Sequence, residues 1–297
     1  MTRQLVLVHG RSQENKNATN LKSEWLDAFR VGLSKSNLDL PIPEEDVRFP
    51  YYGQALADLV AGRPDDEVAQ VIVRGDNSGE EETRFIRSMI LEIQHQQGIT
   101  DGQVDAMSGD SVEVRERGPL NWEWVQRVLQ ALDRYVPGAS GAAIALATRD
   151  VYLYLKNPGF QNVIDSGVRS AFDTDRETVV VAHSLGCVVT YSLLRREGHS
   201  LGWNVPLYVT LGAPLAVQAV KHALDPCDHP QCVSAWFNAM DERDVVSLYP
   251  LDADNFPVTP PIENKTDVDN PTPNRHGISG YLSDATVARR IHEALIA

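Results

Sequence analysis

The chain has 297 residues, with 27 Lys+Arg against 41 Asp+Glu and a formal net charge of −14. Its hydrophobic share of 42% and charged share of 23% are those of a globular protein long enough to bury a substantial core, which excludes disordered, collagen-like and disulfide-scaffold classes. The acidic balance, with Lys and Arg scattered among acids, offers no basic stripe for phosphates, so neither nucleic acid nor an anionic membrane surface is an expected partner.

The N-terminal Met1-Thr2-Arg3-Gln4 runs directly into Leu5-Val6-Leu7-Val8, too short and too quickly polar for a signal-peptide core. The first apolar run reads as a buried strand. Trp25, Phe29 and Leu33 then recur at helical spacing, and Val47-Arg48-Phe49 before Pro50 supplies a short second strand, completing a βαβ unit.

From residue 53 to residue 175 helical periodicity dominates, in Phe85, Met89, Ile90 and Ile93 and again in Trp122, Val125, Leu129, Leu132 and Val136. We read this stretch as a helical insertion within a single domain, with residues 98–118, rich in Gly, Asp and Ser, as a loop inside it. The apolar run at 142–155 falls short of the roughly 20 residues a membrane span needs, being interrupted by Thr148-Arg149-Asp150. No membrane span is expected.

Three further strands follow: residues 178–182, 207–211 and 233–239, each apolar almost throughout, as strands buried on both faces of a parallel sheet are. Alternation of strands with helical patterns predicts an α/β fold with a mostly parallel central sheet flanked by helices. The chain closes on a helix carrying Val287, Ile291, Ala294 and Leu295 on one face, with Ser283 as the expected N-cap.

The three cysteines, Cys187, Cys227 and Cys232, suit a reducing compartment, so a cytoplasmic protein is expected. Cys187 reads as core. Cys227-Asp228-His229-Pro230-Gln231-Cys232, with His222 nearby, lacks the second half of a zinc site and reads as a surface loop, with a local disulfide as an option. Neither a metal nor a cofactor is called for.

The segment that carries chemistry is Thr178-Val179-Val180-Val181-Ala182-His183-Ser184-Leu185-Gly186-Cys187, a β-rich run, a serine flanked by small residues, then a helical pattern. A strand that turns sharply into a helix holds such a serine in a strained conformation, and larger side chains two positions away would collide. The hydroxyl is pushed out above the sheet edge. Amides at the helix N-terminus, the N–H of Leu185 among them, then face the place where negative charge develops.

Ala182-His183-Ser184-Leu185-Gly186 resembles the Gly-x-Ser-x-Gly nucleophile motif of the α/β-hydrolase superfamily, departing from it by one methyl at Ala182. The resemblance implies an α/β-hydrolase fold with residues 53–175 as a helical cap, and the order serine, acid, histidine along the chain. Asp244, followed by Val245 and Val246 after a late strand, matches the family's acid position, with Asp241 as the alternative. Of the eight histidines, His276 lies on a Gly-containing loop before the last helix, where the family places its general base. Val8-His9-Gly10-Arg11 is similar to the His-Gly pair of lipase-like members. That likeness implies the Arg11 amide as second oxyanion donor beside Leu185, with Gly10 and His183 flanking the substrate. Gly212-Ala213-Pro214-Leu215 resembles a Gly-Ser-Pro-Leu stretch of the same members and is expected on the pocket floor.

These residues imply a serine esterase or lipase-like enzyme working through an acyl-enzyme on a small-molecule ester, an acyl lipid included if Ile144, Leu146, Val151 and Leu153 form an apolar cap face. Thioester, amide and lactone substrates use the same residues, and a hydrolase-like scaffold that binds without turnover stays open. Aspartate-dependent relatives are disfavoured by the serine at 184.

Overall fold

The computed structural model describes residues 3–10, 17–52, 79–107 and 122–297. Among the described residues six strands form one sheet: β1 (Gln4–Val8), β2 (Val47–Arg48), β3 (Thr178–His183), β4 (Tyr208–Leu211), β5 (Trp236–Ala239) and β6 (Glu263–Lys265). Their order is β2-β1-β3-β4-β5-β6, and every pairing is parallel. Among the described residues, then, the expected mostly parallel sheet is parallel throughout. An isolated bridge between Val205 and Val233 continues the β4/β5 pairing upstream, where the apolar runs begin before the ladder proper.

β6 escapes the sequence because its three residues, Glu-Asn-Lys, are polar and exposed to half-buried. An edge strand needs only one paired side, and charge along it discourages further strand addition.

Alternate strand residues feed two separate cores. Leu5, Leu7, Val179 and Val181 point to a layer made by α1 (Ala18–Ser34) and the C-terminal helices α9 (Ile278–Leu282) and α10 (Ala285–Ile296). Val6, Val8, Val180 and Ala182 point the other way. There they meet α7 (Leu185–Leu193), which follows β3, α8 (Gln218–Leu224), and the helices of the 53–175 stretch, α2 (Glu80–Gln96), α4 (Trp122–Tyr135), α5 (Gly141–Lys156) and α6 (Pro158–Arg169). Phe85, Met89, Ile90, Ile93, Val125, Leu129 and Leu132 are all buried in this second core, as their spacing predicts. The described helices of the stretch share this core with the sheet.

Two local expectations are corrected. Residues 98–107, read as part of a loop, contain α3 (Asp101–Asp105), started by a capping box in which Thr100 and Gln103 satisfy each other's backbone amides. The remainder of that expected loop lies outside the described residues. The N-cap of α10 is Asp284, one residue later than expected, its carboxylate accepting from Thr286 and Val287 N–H. Aspartate at this position also faces the positive end of the helix dipole. Among the described residues no helix is long and apolar enough to cross a membrane.

Candidate active site

The sheet order sets the location. β1 connects through α1 to β2 on one side, whereas β3 connects through α7 to β4 on the other, so the chain leaves the carboxyl ends of β1 and β3 in opposite directions. A crevice opens at such a switch point. Val8 pairs with Ala182, and Gly10 and Ser184 each stand two residues further on, facing one another across it.

Ser184 has φ 54° and ψ −125°, a conformation that L-residues rarely adopt, with a penalty of roughly 1–3 kcal/mol. The surroundings impose it. Its N–H donates to the Leu211 carbonyl at 3.1 Å and its C=O accepts from Cys187 N–H at 2.9 Å, so the residue is fastened to β4 and to α7 at once. Gly10 and Gly186 let the backbone close around it: a Cβ at Gly10 would lie 2.8 Å from the Ser184 Cβ, and one at Gly186 would lie 2.5 Å from the Val8 carbonyl oxygen. Gly186, one of the two small residues of the sequence pattern, is thus needed for close packing.

His276 reaches this hydroxyl from the far end of the chain, with Nε2 2.9 Å from Ser184 Oγ and Nδ1 2.8 Å from Asp244 Oδ2. A carboxylate only accepts, so Nδ1 carries the imidazole proton and the Nε2 lone pair faces the serine hydroxyl. The Asp244 side chain is wholly buried, and His276 is 13% exposed. Burial would raise the Asp244 carboxyl, but His276 and hydrogen bonds from the Tyr281 hydroxyl and the Val246 amide outweigh it and hold it below the ordinary value. Tyr281 donates to Asp244 Oδ2 at 2.6 Å and Val246 N–H to Oδ1 at 2.8 Å. Of the two candidate acids, then, Asp244 contacts the imidazole.

Asp241 has a different task. Its carboxylate accepts from Arg243 N–H at 2.8 Å and from Asn270 N–H at 2.9 Å, tying the end of β5 to the loop that carries His276. Asn270 in turn donates to the Gly277 carbonyl at 2.9 Å and accepts from Thr272 Oγ1 at 2.6 Å.

His183 lines the cavity beside Ser184. Its ring is nevertheless engaged: Nε2–H donates to the His276 carbonyl at 2.7 Å, and the two rings lie 4.7 Å apart. Burial, with the nearby His276 charge, pushes the His183 pKa down to about 3, so the ring stays neutral and holds the backbone of the neighbouring histidine.

His9, at the end of β1, is fully buried, and its pKa is pushed by burial down to about 4. It accepts from Tyr52 N–H at Nε2 and donates from Nδ1 to the Gly10 carbonyl at 2.7 Å, so the peptide leading out of β1 is fixed by a side chain. Arg11 lies outside the described residues. Leu185 opens α7, and its N–H is one of the first-turn amides that have no intrahelical acceptor. Gly212, at φ 57°, lets the β4 end pass beneath the His276 ring, since a Cβ there would lie 3.1 Å from its Nδ1; of the segment expected on the pocket floor, Pro214 lines a cavity.

The expected apolar face of α5 is divided. Ile144 and Val151 line the cavity, whereas Leu146 is buried in the core and Leu153 is half-buried beside it. Cys227 and Cys232 are free, half-buried thiols, donating to the Lys221 and Leu194 carbonyls, so the local disulfide considered from sequence does not form. Comparison of the sequence with protein-family models and with curated proteins, and of the fold with solved structures, gave no match.

Proposed function

We propose that this protein is a serine hydrolase of the α/β-hydrolase type, cleaving a carboxylic ester of a small molecule through an acyl-enzyme, with the helices of residues 53–175 covering the site. The observation that carries the reading is the continuous hydrogen-bonded chain Ser184–His276–Asp244, set at a topological switch point on a serine with positive φ. A serine doing only structural work has no need of a strained backbone aimed at an oriented imidazole.

In this reading Ser184 Oγ attacks the acyl carbon while its proton passes to His276 Nε2, and Asp244 stabilises the imidazolium. The Leu185 amide, at the positive end of α7, donates to the developing oxyanion, and the Arg11 amide is the proposed second donor. Water repeats the sequence to release the acid. His9, by fixing the Gly10 carbonyl, would hold the second half of that oxyanion hole. No cofactor enters the chemistry proposed, and the free cysteines accord with the cytoplasm as its compartment.

Hydrolysis of 4-nitrophenyl acetate tests the proposal: the wild type should turn it over and Ser184→Ala should not. Equal rates in the two proteins would end the hydrolase reading.

A further inference from the structure

Ser184 lies where two unequal cavities meet. One is a cleft of about 400 Å³ whose walls include Trp25, Ser140, Asn274, His276 and Ser279. The other has only about 20 Å³ and is walled by Met89, Ile93, Val151, Leu185, Pro214 and Val217. Ile144, Ala147, Ser184 and Val246 belong to both. His276 borders the cleft and not the narrow chamber, whereas Leu185, whose amide heads α7, borders the chamber and not the cleft.

We propose, resting on the hydrolase reading above, that the substrate is a short-acyl ester of a bulky alcohol, with the acyl group in the narrow chamber and the alcohol in the cleft. The assignment follows from the proton. When Ser184 Oγ bonds to the acyl carbon, its proton goes to His276 Nε2; when the carbon–oxygen bond to the alcohol breaks, the electron pair stays on that oxygen, which takes the proton back from Nε2. The departing oxygen must therefore stand beside His276, and the rest of the alcohol extends into the cavity that His276 borders. The acyl group is left on the side of Leu185. Water then adds to the acyl carbon, giving its proton to His276, and the bond to Ser184 breaks with return of that proton to Oγ.

Size follows from volume. A water-sized group needs on the order of 10–15 Å³, so the chamber holds an acyl tail of about one to three carbons beyond the carbonyl. Longer chains would press on Met89, Ile93 and Val217, all buried in the closely packed core. The cleft falls in the range of small-molecule sites, roughly 300–1,000 Å³, and its Ser140, Asn274 and Ser279 offer hydrogen bonds to an oxygenated alcohol. An acyl lipid, entertained from sequence, is the wrong shape for this division.

The test is a matrix of kcat/KM values for acetyl, butyryl and octanoyl esters, each of ethanol and of naphthylmethanol, whose alkoxides leave with comparable ease. At constant alcohol, octanoyl should fall about 100-fold or more below acetyl or butyryl, a discrimination that a packed apolar pocket can supply. At constant acyl group, the naphthylmethyl ester should be at least as good a substrate as the ethyl ester. Met89→Ala should raise the octanoyl-to-acetyl ratio by about tenfold or more. Octanoyl esters turned over as well as acetyl esters by the wild type would overturn the assignment, whether or not Met89→Ala folds. So would rejection of the naphthylmethyl esters. Absence of Ser184-dependent turnover across the whole matrix would instead defeat the hydrolase reading, and the assignment with it.

Discussion

The turn that carries Ser184 and the loop that carries His276 deliver their side chains to the same point by opposite means. Ser184 is held by backbone: a strand, a helix, two close-packed glycines and a hydrogen bond to the Leu211 carbonyl define its φ and ψ. His276 is held by side chains, in a loop braced by Asp241, Asn270, Thr272 and the neutral ring of His183. The first arrangement is built from main chain that packs on neighbouring strands, so a single added side chain disturbs all of it. The second draws on residues from three separate parts of the chain, so its parts can be removed one at a time.

That contrast orders the expected effects. Gly186→Val should be the most damaging change at the Ser184 turn, because its branched side chain starts 2.5 Å from a main-chain oxygen of β1; soluble yield and thermal unfolding would register a misfolded protein. Ser184→Ala should leave the fold and its unfolding curve intact while removing roughly 10⁴–10⁶ of kcat on any ester the wild type accepts. Asp244→Asn should remove about 10⁴ by favouring the wrong His276 tautomer. An Asp241→Asn activity that matched Asp244→Asn would contradict the division between bracing and contact drawn for the two acids.

Smaller effects sharpen the account of the loop. Asp241→Asn and Asn270→Ala should each lower kcat by about tenfold to a hundredfold, with KM little changed, since misplacement of the base by about 1 Å is enough for a loss of that order. His183→Phe should lower kcat several-fold, and His183→Gln, which keeps a donor for the His276 carbonyl, should recover most of it. Failure of glutamine to rescue would argue that His183 acts through its ring alone.

The buried histidines also make stability depend on pH. His9 and His183 have folded values lowered to about 4 and about 3 from 6.5, so the unfolded chain binds more protons below pH 6.5 and stability falls as the solution is acidified through that range. Between pH 6.5 and pH 5 each contributes a loss on the order of 2 kcal/mol. Asp244, also lowered, adds a loss at more acidic pH, when it is protonated through its folded value. Urea midpoints should therefore drop between pH 7 and pH 5, and the drop should shrink in His183→Gln.

How much could be read from the residues follows the same line. Buried strands, amphipathic helices and the Ser184 turn are written in neighbouring side chains, and five of the six described strands emerge from their apolar runs. β6 does not, because its residues are paired through their backbones at a polar edge. Ser184, Asp244 and His276 were legible as candidates through motif and order, and the geometry brings them together. The tasks of Asp241, Asn270 and His183 were not, since each depends on which distant backbone group stands opposite. Tyr281 is five residues past His276 in the sequence, yet only the fold of α9 turns its hydroxyl onto Asp244. Cavity shape was equally hidden: Leu146 and Ile144 look alike in a helical pattern, and only packing decides which borders open space.

The central claim is that one hydroxyl in this molecule is an activated nucleophile. Treatment of the native protein with a fluorophosphonate, followed by peptide mapping in a mass spectrometer, addresses it without any knowledge of the natural substrate. A single phosphonyl adduct on Ser184, lost on prior acid unfolding and in His276→Ala, is the predicted result; an unmodified Ser184, or an adduct carried by another residue, would contradict it.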